Sequence, residues 1–264
     1  MEDLAPPIFL LTDFGTRDSY VGQVKAVIAG IAPRCPLIDL SHEIEPYAVD
    51  EAAWMLETAL PHLPPRAVVL AVVDPGVGTD RRALAVRVDG RSFVGPDNGI
   101  LSPALRAGPA RAAPFARELA AAHARREPIS DTFHGRDVFA PAAARLATGT
   151  DFSQLGPPVD EPRLLPEFRA VPGGPGCLRG YVVHVDRYGN LITTVRASQV
   201  SRPFELEVAG ARISTRVRTF AEGAGSRPFC HADSSGFIAV ALNQASAADA
   251  LGARRGDPVR VHVP

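Results

Sequence analysis

The 264-residue sequence predicts an α/β N-terminal domain with a mainly parallel central sheet, followed by a smaller C-terminal antiparallel β-barrel-like domain. Three observations carry this prediction. In the first half, short apolar runs alternate with stretches of helical periodicity. In the last third, short strand-like runs recur at fairly regular spacing, with glycine turns between them. Between the two lies a stretch, 156–176, that holds Pro157, Pro158, Pro162, Pro166, Pro172 and Pro175 with Gly173 and Gly174, the composition of a linker. The expected partition is an α/β domain over 1–168, a linker over 169–178 and a β domain over 179–264.

Taken in order, residues 8–11 form an apolar run that ends in Thr12-Asp13-Phe14-Gly15, a buried strand running into a loop. Residues 20–31 place Val21, Val24, Val27, Ile28 and Ile31 at helical spacing, and Pro33 closes the helix. A second strand is predicted over 37–40 and a helix over 50–60 with Asp50 as its N-cap. The third strand, 68–73, ends at Asp74-Pro75-Gly76. Residues 84–88 and 92–94 read as a hairpin around Asp89-Gly90. The Ala- and Arg-rich stretch 106–128 is expected to be partly helical, interrupted by Pro109 and Pro114. Residues 139–147 read as a helix with Pro141 in its first turn. Strands then follow at 180–185, 191–195, 204–208, 212–217, 236–241 and 259–263.

Composition narrows the function. Apolar residues make up 46% of the chain, enough for a sizeable core. The formal net charge is −1, Lys25 is the only lysine and the arginines are scattered, so no nucleic-acid surface is expected. Cys35, Cys177 and Cys230 are odd in number, far apart and without C-x-x-C spacing, which argues against a disulfide framework and a structural zinc site. A reduced, cytoplasmic setting is expected. The longest plainly apolar run, 68–73, is far short of a membrane span. Met1-Glu2-Asp3-Leu4 lacks a basic n-region, so no export signal is expected.

Four segments place polar residues at strand-to-loop junctions, where open α/β sheets form ligand crevices. Asp13 stands just past a strand end, where a carboxylate can accept both hydroxyls of a ribose or cap a helix. Asp74 ends a buried strand and needs a partner, for which Arg81 is near in sequence; the pair is either functional or a structural clasp. His134, beside Gly135 and before a helix, can face a pocket or sit in a surface loop. Asp186-Arg187-Tyr188-Gly189-Asn190 is either a tight β-turn or an aromatic-plus-amide site for a purine. Asp233-Ser234-Ser235-Gly236 is a similar polar turn. His134 and Asp137 with His42 and Glu43 could supply metal ligands, but no H-E-x-x-H spacing supports it, and no metal is expected.

The order of these segments along the chain says more than any one of them. Thr12-Asp13-Phe14-Gly15, Asp18-x-Tyr20-Val21-Gly22, Asp74-Pro75-Gly76-Val77-Gly78, Gly95-Pro96-Asp97-Asn98-Gly99, Thr132-Phe133-His134-Gly135-Arg136-Asp137-x-Phe139-Ala140-Pro141, Gly189-Asn190 and Ser234-Ser235-Gly236-Phe237 follow one another. This succession resembles the S-adenosyl-L-methionine hydroxide adenosyltransferases, relatives of the fluorinase and chlorinase. The resemblance spans nearly the whole chain and is weakest over 103–128 and 156–178. It implies an enzyme that hydrolyses S-adenosyl-L-methionine to adenosine and L-methionine by attack of activated water at C5′, without a metal or other cofactor. It also implies a homotrimer whose sites lie between one subunit's N-terminal domain and a neighbour's C-terminal domain.

Residue by residue, the resemblance places an Asp-Arg-His triad on Asp74, Arg81 and His134. It places the ribose-binding carboxylate on Asp13, an aromatic near the sugar on Tyr47 and a pocket wall on Phe133. Asp186, Tyr188 and Asn190 match residues that hold the methionine ammonium and the adenine. Ser234 matches a contact to the methionine carboxylate, and Leu242 another ligand contact. Ala239 departs from the pattern where many members carry Glu, and Asn243-Gln244-Ala245-Ser246 is loose against relatives. Two alternatives stay open: a halide-using adenosyl transferase of the chlorinase type, and a non-catalytic adenosine- or S-adenosylmethionine-binding protein.

Overall fold

The computed structural model describes residues 5–107, 115–120, 125–200, 203–223 and 225–263. The chain divides into two compact units, Met1–Leu165 and Pro166–Pro264.

The first unit contains β1 (Ile8–Thr12), α1 (Tyr20–Ile31), β2 (Leu37–Ser41), α2 (Val49–Ala59), β3 (Val68–Val72), β4 (Ala83–Val88), β5 (Arg91–Pro96), α3 (Ser102–Arg106), β6 (Phe115–Glu118) and α4 (Ala140–Ala147). Its six-stranded sheet runs β2-β1-β3-β5-β4-β6. Pairings from β2 to β5 are parallel, whereas β4 is antiparallel to β5 and β6, so the sheet is mixed. Helices cover both faces. Ile8, Leu10, Val68, Leu70 and Val72 pack with Val24 and Ile28 of α1 and the alanines of α4. Phe9, Leu11, Val69 and Ala71 pack with Ala52 and Leu56 of α2. Burial on both faces explains why β1 and β3 read as unbroken apolar runs rather than alternating ones.

Several expectations are corrected here. Ala48, not Asp50, occupies the N-cap of α2. Asp50 lies in the first turn, where its charge meets the positive end of the helix dipole. In the stretch expected to be partly helical, residues 115–118 form β6, hydrogen-bonded to β4. Residues 108–114 and 121–124 of that stretch lie outside the described residues. Helix α4 begins at Ala140, after a π-type turn over Gly135–Phe139. The hairpin around Asp89 and Gly90 is as expected, with φ of 50° and 74°, the two left-handed positions of a tight hairpin turn.

The second unit contains β7 (Val171–Gly174), β8 (Cys177–Val185), β9 (Leu191–Arg196), β10 (Glu205–Val208), β11 (Ala211–Ile213), β12 (Phe229–Ala232), β13 (Phe237–Ala241), α5 (Ala247–Leu251) and β14 (Pro258–His262). All pairings between these strands are antiparallel, in the order β11-β10-β14-β8-β9-β13-β12, with β7 on β8. After β11 the backbone turns to β12: Cys230 N donates to Thr215 O and Val217 N to Cys230 O. These bonds link the two ends of the sheet and nearly close it. Val182, Val195, Leu206, Val240 and Val261 fill its interior. The stretch read as a linker, 169–178, holds β7 and the start of β8.

Candidate functional site

Asp74 follows the end of β3 by two residues. The chain then doubles back: Val77 N donates to Asp74 O at 3.2 Å and Thr79 N to Gly76 O at 3.2 Å. Gly78 sits at φ 77°, and a Cβ there would lie 2.5 Å from the carbonyl oxygen of Asp131. Only glycine fits that approach. The turn returns Arg81 to Asp74 as a two-point pair, with Nε donating to Oδ1 at 2.8 Å and Nη2 donating to Oδ2. The side chains are 11% and 7% exposed, so each charge depends on the other.

The same Nη2 reaches His134, 53 residues away, with Nδ1 at 2.8 Å. A guanidinium only donates, so Nδ1 accepts, and the neutral ring carries its proton on Nε2. Burial, then the Arg81 charge, pushes the His134 pKa below its ordinary 6.5, in keeping with that state. Gly135 lets the Phe14 and Phe133 rings close in. A Cβ there would lie 2.9 Å from Phe14 Cζ and 3.3 Å from Phe133 Cε2. The two rings meet edge to face with centroids 5.6 Å apart.

Asp13 is placed beside this group. Tyr47 N donates to its Oδ2 at 3.0 Å. Burial raises the Asp13 pKa, backbone N–H bonds oppose the rise, and the Asp74 charge adds to it. Tyr47 holds φ at 70°, an uncommon backbone state for a tyrosine, and the residue is 73% exposed. Asp13, Tyr47, Asp74, Phe133 and His134 line one cavity of about 160 Å³, with Phe14, Val77 and Thr132 also in its wall.

The remaining expected residues gather in the second unit. Asp186, Tyr188, Asn190, Ser234 and Leu242 line one pocket of about 870 Å³. Asp186 Oδ1 accepts from the backbone N–H of Tyr188 and Asn190, each at 2.9 Å. Asn190 Nδ2 donates to Asp186 Oδ2 at 2.7 Å. These bonds make a tight turn, and they leave Tyr188 at its tip, 77% exposed. Gly189 at φ 78° docks against Ser246, the N-cap of α5, where a Cβ would lie 2.2 Å from the hydroxyl oxygen. Arg218, Phe220 and His231 share the pocket and were not expected, since no motif signals them. Ala239 is fully buried within β13 and does not line this pocket.

Of the four residues weighed as metal ligands, His134 is bonded to Arg81 and the other three are engaged elsewhere. Buried Asp137 takes two bonds from Arg136, at 2.7 and 2.8 Å, and one from Ser130 N at 3.0 Å. His42 meets Thr12 at 2.7 Å and Asp39 at 3.1 Å, and Glu43 accepts from Thr16 at 2.9 Å. Among the described residues, no group of three or more His, Cys, Asp or Glu side chains is placed to hold a metal ion.

Comparison with known proteins agrees with this layout. Residues 8–156 match the family profile described as the SAM hydroxide adenosyltransferase N-terminal domain, and residues 180–260 match the C-terminal domain. The chain is 46% identical over 261 residues to the (R)-S-adenosyl-L-methionine hydrolase of Thermus thermophilus, covering 97% of this chain and 99% of that protein. It is 41% identical to that of Salinispora tropica, covering 97% of each. A crystal structure of an uncharacterized conserved protein from Thermotoga maritima superposes with a TM-score of 0.87 at 31% identity, covering 97% of this chain and 99% of that one. Fluorinases match across nearly the whole chain at 25–27% identity. The chain belongs to the SAM hydroxide adenosyltransferase family, which these matches relate to the fluorinases.

Proposed function

We propose that this protein hydrolyses (R)-S-adenosyl-L-methionine, the substrate in the names of the Thermus and Salinispora relatives it matches, to adenosine and L-methionine. The observation that carries the proposal is the continuous Asp74–Arg81–His134 bonding, set beside Asp13 at the end of a buried strand.

The chemistry follows from the substrate. Methionine leaves a sulfonium as a neutral thioether, so no acid is needed for the leaving group. The difficulty is the nucleophile, since water attacks saturated carbon poorly unless it is held in line. The water oxygen forms the bond to C5′, the C5′–S bond breaks, and sulfur keeps its electron pair. As the new bond forms, the O–H bonds of the water become strongly acidic, so an ordinary carboxylate suffices as proton acceptor. Asp74 takes this role and passes the proton to solvent. His134 does not, because Nδ1 is occupied by Arg81 and Nε2 already bears hydrogen; its Nε2–H instead donates to the water oxygen and orients it. Arg81 fixes both partners. The reaction neutralises the sulfonium charge, and a site poor in water favours that change.

Asp13 binds the ribose hydroxyls, with Tyr47 and Phe133 against the sugar. Asp186, Tyr188, Asn190, Ser234 and Leu242 receive the adenine and the methionine end. The Asp74 carboxylate beside the attacking position disfavours a halide, and the stretch Phe133-His134-Gly135 offers no serine to hold one. The resemblance to the family further supports a homotrimer in which a neighbour's C-terminal unit, read as a barrel, completes each site. Incubation of the purified protein with S-adenosyl-L-methionine in chloride and fluoride buffers should yield adenosine and methionine. A 5′-halo-5′-deoxyadenosine product, or tight binding of adenosine without any turnover, would contradict the proposal.

A further inference from the structure

The segment Gly95-Pro96-Asp97-Asn98-Gly99 lines neither pocket, yet it is bonded to the backbone next to both Asp74 and Arg81. Asn98 Nδ2 donates at 2.8 Å to the carbonyl of Val73, immediately before Asp74, while Asn98 Oδ1 accepts from Ile100 N at 3.1 Å. Asp97 grips the residue after Arg81. Its N–H donates to Arg82 O at 2.9 Å, and its Oδ2 accepts from Arg82 Nε at 2.8 Å. The Asp97 side chain is 6% exposed, and its other oxygen accepts from Arg163 N at 2.7 Å. The Arg82 carbonyl held in this way also accepts from Arg81 Nη1, at 3.3 Å.

That last bond matters because a guanidinium is planar. With Nε and Nη2 paired to Asp74, the Arg82 carbonyl holds Nη1 as a third point, and the three bonds together set the plane and the direction in which Nη2 meets His134. We propose that Asp97 and Asn98 are positioning residues for the reaction: Asn98 fixes the strand end that bears Asp74, and Asp97, through Arg82, fixes the guanidinium plane of Arg81. This rests on the reading of Asp74, Arg81 and His134 as the water-handling group.

The test is a double-mutant cycle on the full chain, read as kcat and KM separately. Asp97→Asn and Asn98→Asp keep the side-chain shapes. Each should lower kcat about tenfold with KM little changed, the loss expected from a small misplacement of reacting groups. Combined with Arg81→Lys, which cannot form the planar fork, Asp97→Asn should add almost nothing. Nitrogen-15 NMR of His134 supplies a readout apart from turnover. The wild-type ring should be the Nε2–H tautomer, and Asp97→Asn should mix in the other tautomer. Should Asp97→Asn fail to fold, Arg82→Gln cuts the same clasp from a side chain that is 39% exposed. Losses that multiply in full with Arg81→Lys, unchanged kcat, or an unchanged tautomer would each overturn the positioning role. A wild-type protein that makes no adenosine would instead sink the reading of the reaction itself.

Discussion

The cavity of the N-terminal unit and the pocket of the C-terminal unit differ in kind. The first is small, about 160 Å³, and is built on buried charge: Asp74 against Arg81, Arg81 against His134, and Asp13 half-buried beside them. The second is about 870 Å³, and its carboxylates Asp186 and Asp233 are each bonded to their own turns. What it offers a ligand is surface, chiefly Tyr188 and Phe220, which are 77% and 49% exposed. The contrast teaches a division of labour. On the proposed reading, fixed charges in a small cavity act on the transition state, whereas a roomy pocket with aromatic faces binds ground state and transition state alike. Damage to the first should therefore appear in kcat, and damage to the second in KM.

The largest expected effect breaks the first region. Arg81→Ala should lower kcat by roughly 10²–10³-fold, since it removes the clasp on both Asp74 and His134. Steady-state kinetics should show KM changed only a few-fold. A rise in KM at unchanged kcat would erase the division. His134→Ala should lower kcat about 10²-fold, with His134→Gln retaining more activity because its amide can still donate to the water. Equal activity of the two variants would show that the Nε2–H is not used. Next comes the second region. Tyr188→Ala should raise KM about tenfold through loss of a stacking face, while kcat stays within about twofold.

A smaller effect concerns pH. Burial and the Arg81 charge hold the His134 pKa below 6.5. The ring therefore stays neutral at pH values where a free imidazole is charged, and kcat should hold steady as pH falls through 6.5 before an acid limb appears. The same shift means that the unfolded chain binds the proton more readily. Stability contributed by His134 is thus present above pH 6.5 and is lost as pH falls toward the folded-state value. A kcat profile with a midpoint at or above 6.5, assigned to His134 by its loss in His134→Gln, would contradict this. The smallest expected effect is none: dialysis against a chelator should leave kcat unchanged, and loss restored by one added metal would contradict the water-handling role given to the side chains.

Much of this arrangement was legible in the sequence. Helix α1 was bounded correctly because its apolar spacing and Pro33 agree, and the Asp89-Gly90 hairpin because both residues tolerate left-handed backbone. Strand β7 was not legible, since Val171-Pro172-Gly173-Gly174 has the composition of a linker and becomes a strand only by pairing with β8. Nor was α5, at five residues too short for periodicity to show. The Asp74–Arg81 pair could be anticipated from a separation of seven residues, but its bond to His134 crosses 53 and depends on tertiary structure. Only the order of motifs along the chain suggested it. Arg218 and His231 gave no local signal, because a pocket wall that joins a loop residue to a strand residue leaves no regular spacing to read.

The central claim is that a water molecule, oriented by Asp74, Arg81 and His134, attacks C5′ of the sulfonium. Turnover of S-adenosyl-L-methionine in ¹⁸O-labelled water, followed by mass spectrometry of the products, tests it most directly. The account predicts one labelled oxygen in adenosine, at the 5′-hydroxyl, and none in methionine. Adenosine formed without label at O5′, or label appearing in methionine, would contradict it.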